Sequence, residues 1–330
     1  MKKGKIFTVF ALLLVLAVTV SCSKKAIEDN APTTVEEIES TTETTTTPNY
    51  SIDLSYLKLD HSLEGERSRL SEEDQKLYDK WLEKTLRLEV FYIHANSTEE
   101  VDHFCDILNA IDSDYPEIRL YASATYANDT QDVLKVYYCN NWISYYYCNN
   151  WISYSDPSID YSFSPEILIN EINLIEEKCD EVISQMPEGL DTVEKYEYLL
   201  QSLCLMTEYC EDEDIYIDEK GFKYIDNSYC YVNGPLAQGI GICQSYAYAY
   251  QLLCQRAGLW CSSNVYGYDH RWNLVKLDNG LTYHVDPTWC DFPRLEEGYI
   301  NDYFLLSQEE IEEDHQPSED SWVATGTTLQ

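Results

Sequence analysis

The sequence predicts an α+β fold: one helix packed on an antiparallel sheet, preceded by a region of mixed helices and strands. Three observations predict it. Amphipathic helical patterns recur between residues 71 and 210. The stretch GICQSYAYAYQLLCQRAGL, residues 241–259, reads as a helix that opens at Cys243. The stretch HRWNLVKLDNGLTYHVDPTWCD, residues 270–291, alternates apolar and polar positions about Asp278-Asn279-Gly280, the pattern of a hairpin.

The chain has 330 residues and opens MKKGKIFTVFALLLVLAVTVSCSKK. Lys2, Lys3 and Lys5 precede an apolar run from Ile6 to Val20. That run has the length of a signal-peptide core and is short for a spanning helix, which needs about 20 residues. Its end, Thr19-Val20-Ser21-Cys22, resembles the lipobox of bacterial lipoproteins. The resemblance implies cleavage before Cys22, lipidation of its thiol and a membrane-anchored lipoprotein on a bacterial cell surface. Residues 23–51 are dominated by Thr, Ser, Glu and Pro, with almost nothing to bury, and are expected to form a disordered tether. The expected organisation is a signal peptide and lipidated cysteine at 1–22, the tether at 23–51, a helix-and-strand region at 52–187, a second region at 188–318 and a tail at 319–330.

With 59 acidic against 22 basic residues, the net charge is −37. Phosphate contacts need clustered Lys and Arg, so nucleic acid is not an expected partner. The spread of acidity suits solubility. Twelve cysteines are present. Setting Cys22 aside for lipid leaves an odd number, so at least one thiol is unpaired or bonded between molecules. No CxxC or HExxH spacing and no glycine-rich phosphate loop occurs, so neither a metal nor a cofactor is expected.

Each globular element has a local cause. Residues 71–90 read as a helix capped by Ser71, with Glu73 and Asp74 in its first turn. Residues 98–114 place Val101, Phe104, Cys105, Leu108 and Ile111 at helical spacing. Residues 118–126 and 133–138 are β-rich and separated by Asn-Asp. The octapeptide YCNNWISY then occurs twice, at 138–145 and 147–154. A shift of nine puts equivalent residues on opposite faces of a strand, so the copies are expected to form short strands joined by Asn-Asn turns. Residues 164–185 form a helix with Ser164 as cap, Pro165 at the first position and Leu168, Ile172, Ile175, Cys179 and Val182 on one face. A further helix is expected from Asp191 to Cys210.

The helix at Cys243 carries Tyr246, Tyr250, Leu253 and Ala257 on one face and stops at Gly258. A thiol at a helix N-terminus meets free N–H groups and the positive end of the helix dipole, which favours the nucleophilic thiolate. No other cysteine has this setting. A thiol also needs a base, and the base needs orienting. Reading Asp278-Asn279-Gly280 as a three-residue loop with a left-handed Gly280 pairs Leu277 with Leu281. It also gathers Val275, Leu277, Leu281, Tyr283 and Val285 on one face. In that register Asp286 lies opposite Trp272 and one diagonal from His270, at about 7–8 Å between backbones. A helix-end thiol, an imidazole and a carboxylate then form a Cys–His–Asp set. His284 shares their face and is read as a bystander.

GICQSYAYAYQLLCQRAGL, HRWN and HVDPTWCD together resemble the bacterial transglutaminase-like superfamily, whose core is shared with papain-type cysteine proteases. YFLLSQEEIEEDHQPS, 303–318, is similar to the end of many such domains. The resemblance covers roughly 190–318 and implies that 188–318 is a transglutaminase-like domain. It implies Cys243 as nucleophile, His270 as general base and acid and Asp286 as orienting carboxylate. It also implies Gln238 as an oxyanion donor beside the Cys243 N–H. Trp272 and Trp289 are expected to wall the cleft. Ser245 and Arg271 stand where the family often has glycine and alanine, and are expected to shape the entrance. The implied activity is acyl transfer through a thioester on extracellular peptide or protein amides, cell-wall peptide among them. It is of peptidase, amidase or transglutaminase type. The competing expectation is a surface binding module that keeps the fold without turnover. A cysteine-rich adhesin would require Cys243 in a disulfide.

Overall fold

The computed structural model of the chain describes residues 65–128, 132–138, 145–147, 152–154, 164–210, 216–217, 223–291 and 302–329. The expected signal segment and tether, Cys22 and most of the YCNNWISY repeat lie outside them. Among the described residues no helix is long and apolar enough to cross a membrane.

The fold is mixed α/β with largely antiparallel sheets. Helix α1 (Glu72–Leu86) is capped by Ser71, whose hydroxyl accepts from the Asp74 N–H. It stops four residues short of the expected end, where Leu88 takes a left-handed φ of 56°. Strand β1 (Phe91–His94) leads into α2 (Thr98–Asp114), whose bounds match the sequence pattern. Residues Pro116–Leu120 form a 3₁₀ turn in place of the expected strand start, because a proline at its first position presets a helical φ. Strands β2 (Ala122–Tyr126) and β3 (Val133–Tyr138) then close a small sheet in the order β1-β3-β2.

Strands β4 (Tyr145–Tyr147) and β5 (Ile152–Tyr154) are antiparallel and pair Tyr145 with Tyr154. The two copies of the repeat therefore meet face to face at their last residues. Helix α3 (Pro165–Ser184) buries Leu168, Ile172, Ile175, Cys179 and Val182, the predicted face. Helix α4 (Thr192–Met206) starts at a capping box between Asp191 and Glu194. It ends earlier than expected, because Glu208–Tyr209 becomes strand β6 and pairs in parallel with β9 (Ile240–Gly241). Strands β7 (Tyr216–Ile217) and β8 (Lys223–Asp226) extend the β5-β4 sheet.

Helix α5 (Cys243–Arg256) is the centre of the molecule. The predicted one-sided face is corrected here: Cys243 to Cys254 are all buried. The helix meets α3 and α4, and also β10 (Cys261–Tyr266), β11 (Arg271–Lys276) and α6 (Pro287–Asp291), so no side faces water. Its tyrosines bury their rings, and two of the three satisfy their tips, the Tyr248 hydroxyl having no hydrogen-bond partner among the described residues. The Tyr246 hydroxyl donates to Asp291 and the Tyr250 hydroxyl to the Tyr196 carbonyl.

The sheet over α5 runs β10-β11-β12-β13, with β12 at Thr282–Val285 and β13 at Phe304–Leu306. The β11–β12 register pairs Lys276 with Thr282, Leu274 with His284 and Asn273 with Val285, as the three-residue loop requires. Gly280 has φ 80°, the left-handed conformation that loop needs. The face away from α5 is not polar. Trp272 and Leu274 join Trp260, Val265, Ile311 and Ala324 in a second small core under α7 (Gln308–Ile311) and the chain end. The main core runs without a break from α1 to β13.

Candidate active site

The site lies where the first turn of α5 meets the open ends of β11 and β12. Glycines set this approach. Gly239 is left-handed, with φ 76°. A β-carbon on Gly241 would collide with Ser245 Oγ and come within 2.9 Å of Pro235 Cγ. Ser245 then fixes the helix start: its hydroxyl accepts from the Ile242 N–H at 3.0 Å and donates to the Tyr229 carbonyl at 2.6 Å. Ser245 therefore anchors the strand before Cys243 from inside the protein and does not shape an entrance.

Cys243 is the first residue of α5 and only 4% exposed. Its thiol lies close enough to the His270 ring to act on it electrostatically. His270 Nε2 donates to Asp286 Oδ2 at 2.6 Å, which leaves Nδ1 for the thiol. Asp286 Oδ1 accepts from the Thr288 and Trp289 N–H groups at 3.0 and 3.2 Å, so the carboxylate also caps α6. The three residues expected from sequence are thus brought together, with His270 and Asp286 hydrogen-bonded and Cys243 beside the imidazole.

The charges reinforce one another. Burial would lower the His270 pKa, but the adjacent Asp286 charge and hydrogen bond, with the Cys243 contact, hold it well above its ordinary value. Burial would raise the Asp286 pKa, but His270 and the bonds from His270 and His315 hold it well below the usual carboxylate range. Among the described residues the cysteines, Cys243 included, are free thiols. Cys243 therefore does not meet the disulfide condition of an adhesin.

The other expected site residues divide. Trp289 is partly exposed, with its ring 5.7 Å from that of His270. Trp272 is fully buried and stacks beneath His270 at 5.8 Å and 21°, so it is a floor and not a wall. Gln238 is exposed, and its amide oxygen accepts from the Ser228 hydroxyl at 2.9 Å. No hydrogen bond among the described residues ties it to Cys243. Arg271 points to the α5 face of the sheet. Its guanidinium lies over Tyr248 and Tyr266 at 5.4 and 5.1 Å and donates to the Ser263 carbonyl, so it is away from the entrance. Strand alternation explains this, since neighbours in a strand take opposite faces.

Two histidines carry more than the sequence reading assigned them. His284 is no bystander. Its Nδ1 accepts from the Trp272 indole N–H at 3.0 Å, and its Nε2 donates to Gln308 Oε1 at 2.9 Å. Burial pushes its pKa down to about 4. A neutral ring thus locks the tryptophan on which His270 rests. His315, which follows α7, donates from Nε2 to Asp286 Oδ2 at 2.9 Å. The only sequence signal for it was its place in the DHQPS segment.

No protein-family model matches the sequence, and no curated protein matches it. Among solved structures, one described as "Crystal structure of a TGase" aligns with 61% of this chain and 50% of its own, at 13% identity and a TM-score of 0.31. The chain therefore spans half of that structure's length. An overlap this small carries neither a family nor a chemistry.

Proposed function

We propose that the chain is a thiol acyl-transfer enzyme with a transglutaminase-like core, acting on peptide or protein amides. One observation carries this reading: a helix-end thiol set beside an imidazole that is itself hydrogen-bonded to a buried carboxylate. Cys243 gives its proton to His270, and its sulfur attacks the amide carbonyl. The oxyanion lies against N–H groups of the first turn of α5. Collapse breaks the C–N bond, and His270 returns the proton to the leaving amine. Water or a second amine then resolves the thioester, giving hydrolysis or crosslinking. Asp286 fixes the ring and stabilises its charge.

The test is alkylation of the purified protein at about pH 6, where a free cysteine is mostly protonated, with the modified residue mapped by mass. Cys243 is expected to label selectively, and His270→Ala to slow it. Equal labelling of all thiols would end the proposal. The low exposure of Cys243 favours a second reading, a binding module that keeps the fold without turnover. A reactive Cys243 with no release of amine from amide substrates would select it.

We further propose a bacterial surface location with extracellular substrates, held by lipid on Cys22. Incorporation of a fatty-acid analogue, abolished in Cys22→Ser, would support the anchor.

A further inference from the structure

His315 lies outside the Cys243–His270–Asp286 set, and its contacts to that set are specific. Asp286 must hold His270 still, and a residue that positions another needs anchors independent of it. The Oδ1 atom has such anchors in the Thr288 and Trp289 N–H groups. For Oδ2, the partners are the His270 and His315 rings. His315 is therefore the independent donor that fixes this oxygen.

His315 is itself held on every side. Its Nδ1 faces Asp314 Oδ1 at 2.6 Å, and Asp314 Oδ2 accepts from the Tyr303 hydroxyl at 2.6 Å. Both ring nitrogens therefore face carboxylate oxygens. The ring packs on Trp289 at 4.3 Å, Trp272 at 4.8 Å and Tyr303 at 5.6 Å. Its side chain is 2% exposed, whereas that of Asp314 is 41% exposed.

The ligand atoms of His270, Asp286 and His315 also lie within 4.8 Å of one another, a set that could hold a metal ion. The two contacts to Asp286, 2.6 and 2.9 Å, are hydrogen-bond lengths. Ligands about 2.0–2.2 Å from a shared tetrahedral zinc would stand about 3.4 Å apart. The observed spacing fits protons in those contacts.

We propose that His315 is a positioning residue for the Cys243–His270 pair, acting through a hydrogen bond to Asp286. This rests on the acyl-transfer reading above.

Two substitutions separate hydrogen bonding from packing. His315→Phe keeps a ring against Trp289 and Trp272 but removes the donor. His315→Gln removes the ring but keeps an N–H for Asp286. The rate of Cys243 alkylation by iodoacetamide at about pH 6 is measured for each, with thermal unfolding as a fold check. Phe is expected to slow labelling about tenfold, as loss of an orienting partner does elsewhere. Gln is expected to stay within about threefold of the parent. Equal rates for Phe and the parent, or equal losses in Phe and Gln, would overturn the proposal. If Phe does not fold, Asp314→Ala decides. That side chain is half-exposed, and its loss frees His315 Nδ1. A slower rate there supports the proposal, and an unchanged rate overturns it. The parent and His270→Ala are run alongside. If those two label alike, the acyl-transfer reading fails, and that result is distinct from a parent that depends on His270 but ignores His315.

Discussion

Asp286 is the most constrained side chain of the site. It is fully buried and accepts from two imidazoles and two backbone amides. Asp286→Asn removes the charge that raises the proton affinity of the His270 ring. Under the proposed chemistry it should lower amide turnover by about 10³-fold while Cys243 remains in place, checked by steady-state rates and mass mapping. The same groups set a pH dependence of stability. The folded pKa of Asp286 is depressed, so its contribution is present above about pH 4 and is lost as pH falls through the depressed value. The folded pKa of His270 is raised, so its contribution is complete below about pH 6.5 and is lost as pH rises through the raised value. His284 acts oppositely. Its pKa falls to about 4, so the unfolded chain takes up a proton first, and stability rises with pH between about 4 and 6.5. Thermal unfolding across pH, for the parent and His284→Gln, should show that acid-side slope flatten in the variant.

The elements around the site are held by backbone geometry that admits little substitution. Gly241→Ala would force apart Ser245, Pro235 and the first turn of α5. It should slow Cys243 alkylation with little change in the far-UV spectrum, because the strain falls on the helix start and not on the helix. Gly280→Ala places a β-carbon in a left-handed turn and should cost about 1 kcal/mol in denaturant unfolding. The loop is exposed, and nothing lies within 4 Å of that β-carbon, so the cost is conformational. The turn and the strand alternation are local, which is why the β11–β12 register follows from the sequence. The end of α4 does not, because residues 208–209 leave the helix to pair with a strand some thirty positions away.

Across the whole molecule, α5 is gripped by residues far along the chain. Gln251 donates to the Ser113 carbonyl at 2.7 Å and accepts from the Ser263 N–H at 2.8 Å, bridging α2 to β10 through the helix. Gln251→Leu would orphan both buried backbone groups and should cost about 2–4 kcal/mol in unfolding. Arg256 ties the end of α5 to Glu117 at 3.0 Å and Glu176 at 2.6 Å. With one core running from α1 to β13, a fragment of residues 188–330 should expose the far side of α5. Such a fragment is expected to lack a cooperative unfolding transition in calorimetry.

Local order was readable from consecutive residues. Helix α2, the buried face of α3, the opening of α5 at Cys243 and the hairpin that sets His270 near Asp286 all follow from periodicity, caps and one glycine turn, whose causes lie within a few residues of their effects. Long-range packing decided the rest. It buried α5 on every side, turned Arg271 inward, placed Trp272 as a floor and brought His315 to Asp286 across 29 positions. A one-dimensional pattern records which face a residue occupies within its own element. It does not record which distant element closes over that face, because that choice depends on the fit and hydrogen bonding of the assembled core.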